Sequence, residues 1–383
     1  MSHLTRFQLL RNASVAICAP LELEDYLPQP SLFISPPKWH LGHTTWFFET
    51  FIAKEFEVYT VFNEHFAFCF NSYYETLGDR VARDQRGNQS RPTVKEVLNY
   101  RKYVDQFILS LKDSDIEPFA HLFELGLNHE EQHQELLHYD IQYILWSQAL
   151  QPIYNPDFKS RIQLDSRLSW IKIEEGIKEI GINESKSFAF DNESAQHKVY
   201  TQSFEIRSNL ISNAEYLEFI EKGGYENARF WTAEGWEWIQ TNQIQFPLYW
   251  QKEAHTEWLE FDLKGLLPID FTAAVQNVSW YEAAAFCEWA GYRLPTEFEW
   301  EASCESFQWG HLWEHTASAY LPYPGFKTDE GAVGEYNGKF MINQMVCKGA
   351  SFATPENHSR KTYRNFFHPS MRWQFAGIRP CKR

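Results

Sequence analysis

The segment Leu127-Asn128-His129-Glu130-Glu131-Gln132-His133-Gln134-Glu135-Leu136-Leu137 holds neither Pro nor Gly and is rich in helix formers, which predicts a helix. Residues four apart on a helix share a face, at ~100° per residue. His129 and His133 therefore project side by side, and two imidazoles so placed chelate a transition metal. Glu135 lies roughly 200° around the helix from His133 and cannot share that ion. A third ligand must come from elsewhere. In Pro37-Lys38-Trp39-His40-Leu41-Gly42-His43-Thr44-Thr45-Trp46-Phe47 the histidines 40 and 43 stand one turn apart, and either can complete a three-histidine face. Three neutral nitrogens with open positions opposite suit non-haem Fe(II), which binds O2 or substrate. Zn(II) with three His and a water is the other metal these residues allow. The zinc-protease pattern is excluded, because its wider signature does not follow His129-Glu130-Glu131-Gln132-His133.

The elements that must position these residues are helical up to about residue 150. The expected helices span 5–16, 39–55, 93–110 and 117–149, the last breaking near Gly126. Four such segments suggest an up-and-down bundle whose interior can hold a metal. A long loop between the second and third carries Asn71-Ser72-Tyr73-Tyr74-Glu75 and several arginines, and loops of that length are usually functional. Residues 151–170 read as a linker. From 171 to 383 short β-prone runs (198–200, 203–206) alternate with short helices (213–221, 281–290), the texture of a loop-rich α+β domain.

Of 383 residues, 44% are hydrophobic and 17% aromatic, a globular composition with a large core. A net charge of −16, with no Lys/Arg-rich run, argues against nucleic-acid binding. No stretch approaches the ~18 apolar residues of a membrane span. The N-terminus lacks an apolar h-region, and the six cysteines are scattered without any CxxC, so a cytoplasmic protein with reduced thiols is expected.

Residues 37–47 together with His129–Glu135 resemble the DinB-like four-helix bundle of the hercynine sulfoxide synthases of ergothioneine biosynthesis. Residues 277–301, from Asn277-Val278-Ser279-Trp280 to Glu299-Trp300-Glu301, are similar to the hallmark of the formylglycine-generating-enzyme fold, a C-type-lectin-like domain. Tyr363-Arg364-Asn365-Phe366-Phe367-His368-Pro369 and residues 372–379 also resemble those synthases. The resemblance implies a multidomain α+β chain, a bundle followed by a lectin-like domain. It further implies an Fe(II) enzyme that uses O2 to join a thiol sulfur to C2 of the hercynine imidazole and oxidises that sulfur to a sulfoxide. C–S bond formation removes two electrons and S-oxidation two more, which together reduce O2 fully.

By motif position the implied metal ligands are His43, His129 and His133, with His40 a neighbour of the site. Tyr73 and Tyr74 match the pair at the active site of the cysteine-using synthases, with Tyr73 favoured as the active phenol. Gln132, one turn from His129, is placed to contact hercynine. Arg80, Arg83, Arg86 and Arg91 are candidates for the substrate carboxylates, Arg80 and Arg86 foremost. Asn365, Phe366, Phe367, Trp373 and Gln374 are the expected substrate contacts of the second domain, Trp373 facing the trimethylammonium group. The tyrosine pair favours cysteine over γ-glutamylcysteine. The chain shows no Gly-rich methyltransferase fingerprint, which favours hercynine over histidine. Cys347 and Cys381 are far apart in sequence, against formylglycine-generating activity itself. The reading from another class is a zinc-binding thiol transferase, or a non-catalytic metal-binding module, on the same bundle.

Overall fold

The structure is a computed structural model that describes residues 2–72, 74, 78–159, 164, 168–183, 188–252, 257–328 and 337–383. It divides into two compact units. The first comprises Met1–Pro156 with Ala353–His358, and the second Asp157–Phe352 with Ser359–Arg383. The short return of 353–358 to the helical unit was not visible in the sequence.

In the first unit the helices are α1 (His3–Cys18), α2 (Pro37–Phe51), α3 (Phe66–Phe70), α4 (Val94–Ser110), α5 (Asp113–Ile116) and α6 (Ala120–Trp146). Three of the long helices start for a local reason. Ser2 caps α1, Pro37 occupies the first turn of α2, and Thr93 with Glu96 forms a reciprocal capping box on α4. α2 stops earlier than the pattern predicts, at Phe51, and a 3-10 turn follows over Ala53–Glu55. α6 runs unbroken through Gly126, contrary to expectation. Glycine is there for space: a Cβ would lie 2.9 Å from the rings of Phe47 and Phe48. α1 and α2 pack on each other, on α4 and on α6.

Between these helices lies a buried charge network. Arg11 donates to Asp105 at 2.7 Å and to Glu130 at 2.9 Å, and Arg101 donates to Glu130 at 2.5 Å. Ser14 also donates its hydroxyl to Glu130. The same guanidinium groups reach Thr44 and Thr45 on α2. Buried charges persist only when paired and hydrogen-bonded in this way.

The second unit holds strands β1 (Trp170–Ile173), β2 (Gly176–Ile180), β3 (His197–Thr201) and β4 (Phe204–Arg207), then α7 (Asn213–Glu221) and α8 (Ala233–Thr241). β5 (Trp250–Lys252), β6 (Trp258–Asp262), β7 (Gly265–Pro268), α9 (Trp280–Ala290), β8 (Tyr292–Arg293) and α10 (Glu297–Ser303) follow. β9 (Trp313–Ala319), β10 (Met345–Gly349), β11 (Asn365–Phe367), β12 (Ala376–Gly377) and β13 (Cys381–Lys382) complete it. They form two four-stranded sheets, ordered β1-β4-β13-β8 and β11-β10-β9-β12, with smaller sheets β2-β3 and β5-β6-β7. Its core gathers Tyr216, Phe219, Trp250, Trp258 and Phe286. Among the described residues no helix is long and apolar enough to cross a membrane.

Candidate metal centre

α2 and α6 bring His43, His129 and His133 together: one ring nitrogen from each lies within 4.8 Å of the others. The i, i+4 pair on α6 supplies two of them, and the packing of α2 against α6 supplies the third. His43 and His129 are each 1% exposed and His133 is 9% exposed, so the cluster is buried. His43 donates Nδ1–H to the Phe70 carbonyl at 2.6 Å, which leaves Nε2 as the atom it offers, 3.2 Å from Nε2 of His129. Burial pushes all three histidines down: His129 to about 4, His43 and His133 well below the ordinary 6.5, with the neighbouring imidazoles adding to the effect. All three are neutral at pH 7 and have lone pairs to give. A buried set of neutral imidazoles fits a divalent transition metal.

Of the two histidines on α2, His43 belongs to this group, while His40 sits behind His133. His40 Nδ1 is 2.7 Å from His133 Nδ1, and its Nε2 donates to Asp140 at 2.9 Å. His43 itself is sandwiched between Trp39 (ring centroids 4.5 Å apart, 12° between planes) and Trp46 (5.6 Å, 16°). Both tryptophans lie on the same side of α2 as His43, at i−4 and i+3, a spacing that would have flagged them.

Arg86 covers the outer face of this stack, its guanidinium carbon 3.4 Å from the Trp39 ring centroid. It also donates to Ser35 and Ser72 at 2.9 and 3.0 Å. Of the other loop arginines, Arg80 is half-buried, Arg83 donates to the Phe33 carbonyl at 2.9 Å, and Arg91 donates to the adjacent Ser90 carbonyl. Tyr73 lies outside the described residues. Tyr74 is fully buried and packs on Trp46 and Phe51 at 5.5 and 5.6 Å between ring centroids. Gln132 is half-buried on α6, between His129 and His133 in sequence.

The remaining expected contacts belong to the second unit. Asn365, Phe366 and Phe367 form β11 on the edge of β10. Phe366 stacks on Tyr320 at 4.0 Å, and Phe367 meets Trp373 edge-on at 5.4 Å. Asn277 donates to the carbonyls of Trp373 and Gln374 at 3.1 and 3.0 Å, which fixes that turn. Cys347 and Cys381 lie in different sheets, and all six cysteines are free.

Residues 157–308 match the family described as sulfatase-modifying factor enzyme 1-like domain. Hercynine oxygenase of Mycolicibacterium smegmatis is 29% identical over 241 residues, covering 50% of this chain and 55% of that protein. Ergothioneine biosynthesis protein 1 of Schizosaccharomyces pombe is 26% identical over 231 residues, covering 51% of this chain and 28% of that protein. Formylglycine-generating enzyme of Bos taurus is 32% identical over 140 residues, covering 32% of this chain and 37% of that protein. The chain thus spans about half the length of the hercynine oxygenases it matches. The resemblance read from the motifs holds: the chain is related to hercynine oxygenases and carries a sulfatase-modifying-factor domain that follows its helical region in sequence.

Proposed function

We propose that this chain is a non-haem Fe(II), O2-dependent sulfoxide synthase that joins cysteine sulfur to C2 of the hercynine imidazole. The observation that carries the reading is the buried triad His43, His129 and His133, in a chain related to hercynine oxygenases. The helical unit is read as a DinB-like bundle, since α1, α2, α4 and α6 are the long helices around the triad. The six free cysteines suit a reducing, cytoplasmic setting.

His43, His129 and His133 would hold the metal, and being neutral they leave its double charge undiminished. Bound Fe(II) supplies a site where a thiol ionises and O2 is reduced. The protein's own part is positioning. Trp39 and Trp46 clamp the His43 ring, and Phe70 fixes its tautomer. Arg86 offers a guanidinium for a substrate carboxylate, with Arg80 a second candidate. Gln132 is assigned to the hercynine imidazole, and Asn365, Phe366, Phe367 and Trp373 to substrate contacts. An aromatic face contributes about 0.5–2 kcal/mol toward a trimethylammonium group. Tyr73 and Tyr74 are assigned as the acid-base or electron-donor pair. One oxygen atom ends in the sulfoxide and the other in water, so no further reductant is required.

The test is anaerobic loading with Fe(II), then O2 uptake with hercynine plus cysteine or γ-glutamylcysteine, with the product mass recorded. Uptake dependent on hercynine, abolished in His129→Ala, with one added sulfoxide oxygen, is the expected result. Turnover only with histidine would move the chain to ovothiol-type chemistry. Tightly held Zn(II) with no O2 uptake would replace the proposal with the thiol-transferase reading.

A further inference from the structure

We propose that Asp140 and His40 form a relay behind His133 that fixes its metal-binding tautomer and strengthens it as a donor. The relay rests on the reading of His43, His129 and His133 as a metal site. Its members are deeply buried, Asp140 and His40 at 3% and 2% exposure. Asp140 Oδ2 accepts the backbone N–H of Ser35 at 2.9 Å and the Nε2–H of His40 at 2.9 Å.

The tautomers then follow one from the next. A carboxylate only accepts, so the His40 proton resides on Nε2 and its Nδ1 carries a lone pair. The partner of that lone pair is Nδ1 of His133, at 2.7 Å. His133 therefore donates Nδ1–H and keeps its own lone pair on Nε2. The opposite assignment would put a proton on the atom that must bind the metal. The negative charge of Asp140 polarises both imidazoles in one direction, and outer partners of this kind raise the basicity of a ligating histidine. His43 differs, because its Nδ1–H goes to the neutral carbonyl of Phe70.

Helix geometry explains why two residues are needed. Asp140 lies seven residues beyond His133, about 20° away around α6 but ~10.5 Å along it. A carboxylate cannot reach across that distance, and His40 on α2 fills it. The i, i+7 spacing was present in the sequence, but its meaning depended on the packing of α2. Asp140 and His40 are positioning residues here.

A purely structural pair, tying α2 to α6, would produce the same contacts. Metal affinity and spectrum separate the two readings. Co(II), whose visible bands report ligand field, is titrated into the metal-free full chain as wild type, Asp140→Asn, His40→Asn and His40→Phe, with apo melting temperature recorded for each. Asp140→Asn keeps shape and removes charge. It is expected to lose about 10–100-fold in Co(II) affinity and to shift the visible bands, beyond any change that its apo melting temperature records. His40→Asn retains a carbonyl that accepts from His133, so it falls between wild type and His40→Phe. Wild-type affinity and spectrum in Asp140→Asn and His40→Asn overturn the relay, whether or not His40→Phe folds. A wild type that binds no Co(II) overturns instead the metal-site reading beneath it.

Discussion

Replacing Glu130 by Gln should cost the helical unit about 3 kcal/mol while changing no histidine of the cluster. The carboxylate is fully buried and receives N–H groups from Arg11 at 2.9 Å and Arg101 at 2.5 Å, with the Ser14 hydroxyl. Burial pushes the carboxyl up, but Arg101, Arg11 and Ser14 together push it further down, to about 2 from the ordinary 4.5. A depression of that size is worth about 3 kcal/mol at ~1.36 kcal/mol per unit. Breaking a buried pair costs ~3–5 kcal/mol, the same range by an independent route, because Arg101 would be left buried beside Arg11 without its counter-charge. The sign in acid is fixed. The folded carboxyl is the more acidic, so the unfolded chain binds the extra proton between pH 4.5 and about 2. The contribution is complete above pH 4.5 and fades as pH falls to about 2. Urea unfolding of the metal-free chain, followed by helical circular dichroism, compares wild type with Glu130→Gln at neutral and acid pH. A difference below about 1 kcal/mol at pH 7, the level of an exposed ion pair, would refute the reasoning. So would a difference that fails to narrow in acid.

Three further outcomes are expected. Gly→Ala in an exposed helix gains about 1 kcal/mol, yet Gly126→Ala should lower the melting temperature, because its Cβ would lie 2.9 Å from the Phe47 and Phe48 rings; a rise by calorimetry would refute this packing. Arg86→Lys keeps the charge but loses the fork to Ser35 and Ser72 and the stack on Trp39; steady-state kinetics should show KM for the thiol raised about tenfold with kcat largely kept, and unchanged KM would remove Arg86 from substrate binding. Burial pushes His315 down to about 4 from 6.5. Its unfolded form therefore binds the extra proton in that window, and stability falls as pH drops from 6.5 to about 4. In urea titrations across that window, His315→Gln should flatten the loss, and an identical slope would refute the assignment.

The local features of the fold were legible. The pair His129 and His133 needed only helical periodicity, and α7 begins and ends where its pattern placed it, at Asn213–Glu221. What failed to show was whatever two elements make together. Gly126 reads as a helix breaker until α2 sets Phe47 and Phe48 against it. His40 and His43 are equivalent by spacing, and only the approach of α6 separates the cluster member from the residue held by Asp140. The 353–358 segment joins the helical unit through His358, which bonds Glu131 at 3.0 Å, a contact 227 residues apart in sequence.

The same separation between local spacing and packing explains how α6 keeps His129 and His133 in place. Around residues 127–135 it is buried on almost every side, so no apolar stripe marks a single core face. Its polar residues instead form successive i, i+4 pairs, each turned about 100° from the last. His129 and His133 face the cluster. Glu130 and Gln134 face α1, Glu130 through Arg11 and Ser14, Gln134 through the Leu10 carbonyl at 2.9 Å and Ser14. Glu131 faces Arg6 and His358. The residue after His129 is Glu130, and the residues after His43 are Thr44 and Thr45. Arg11 grips all three, and Arg101 grips Glu130 and Thr44. The two guanidinium groups thereby tie α2 to α6 one residue away from His43 and His129. These contacts accompany the approach of the three histidines, whose ring nitrogens lie within 4.8 Å of one another.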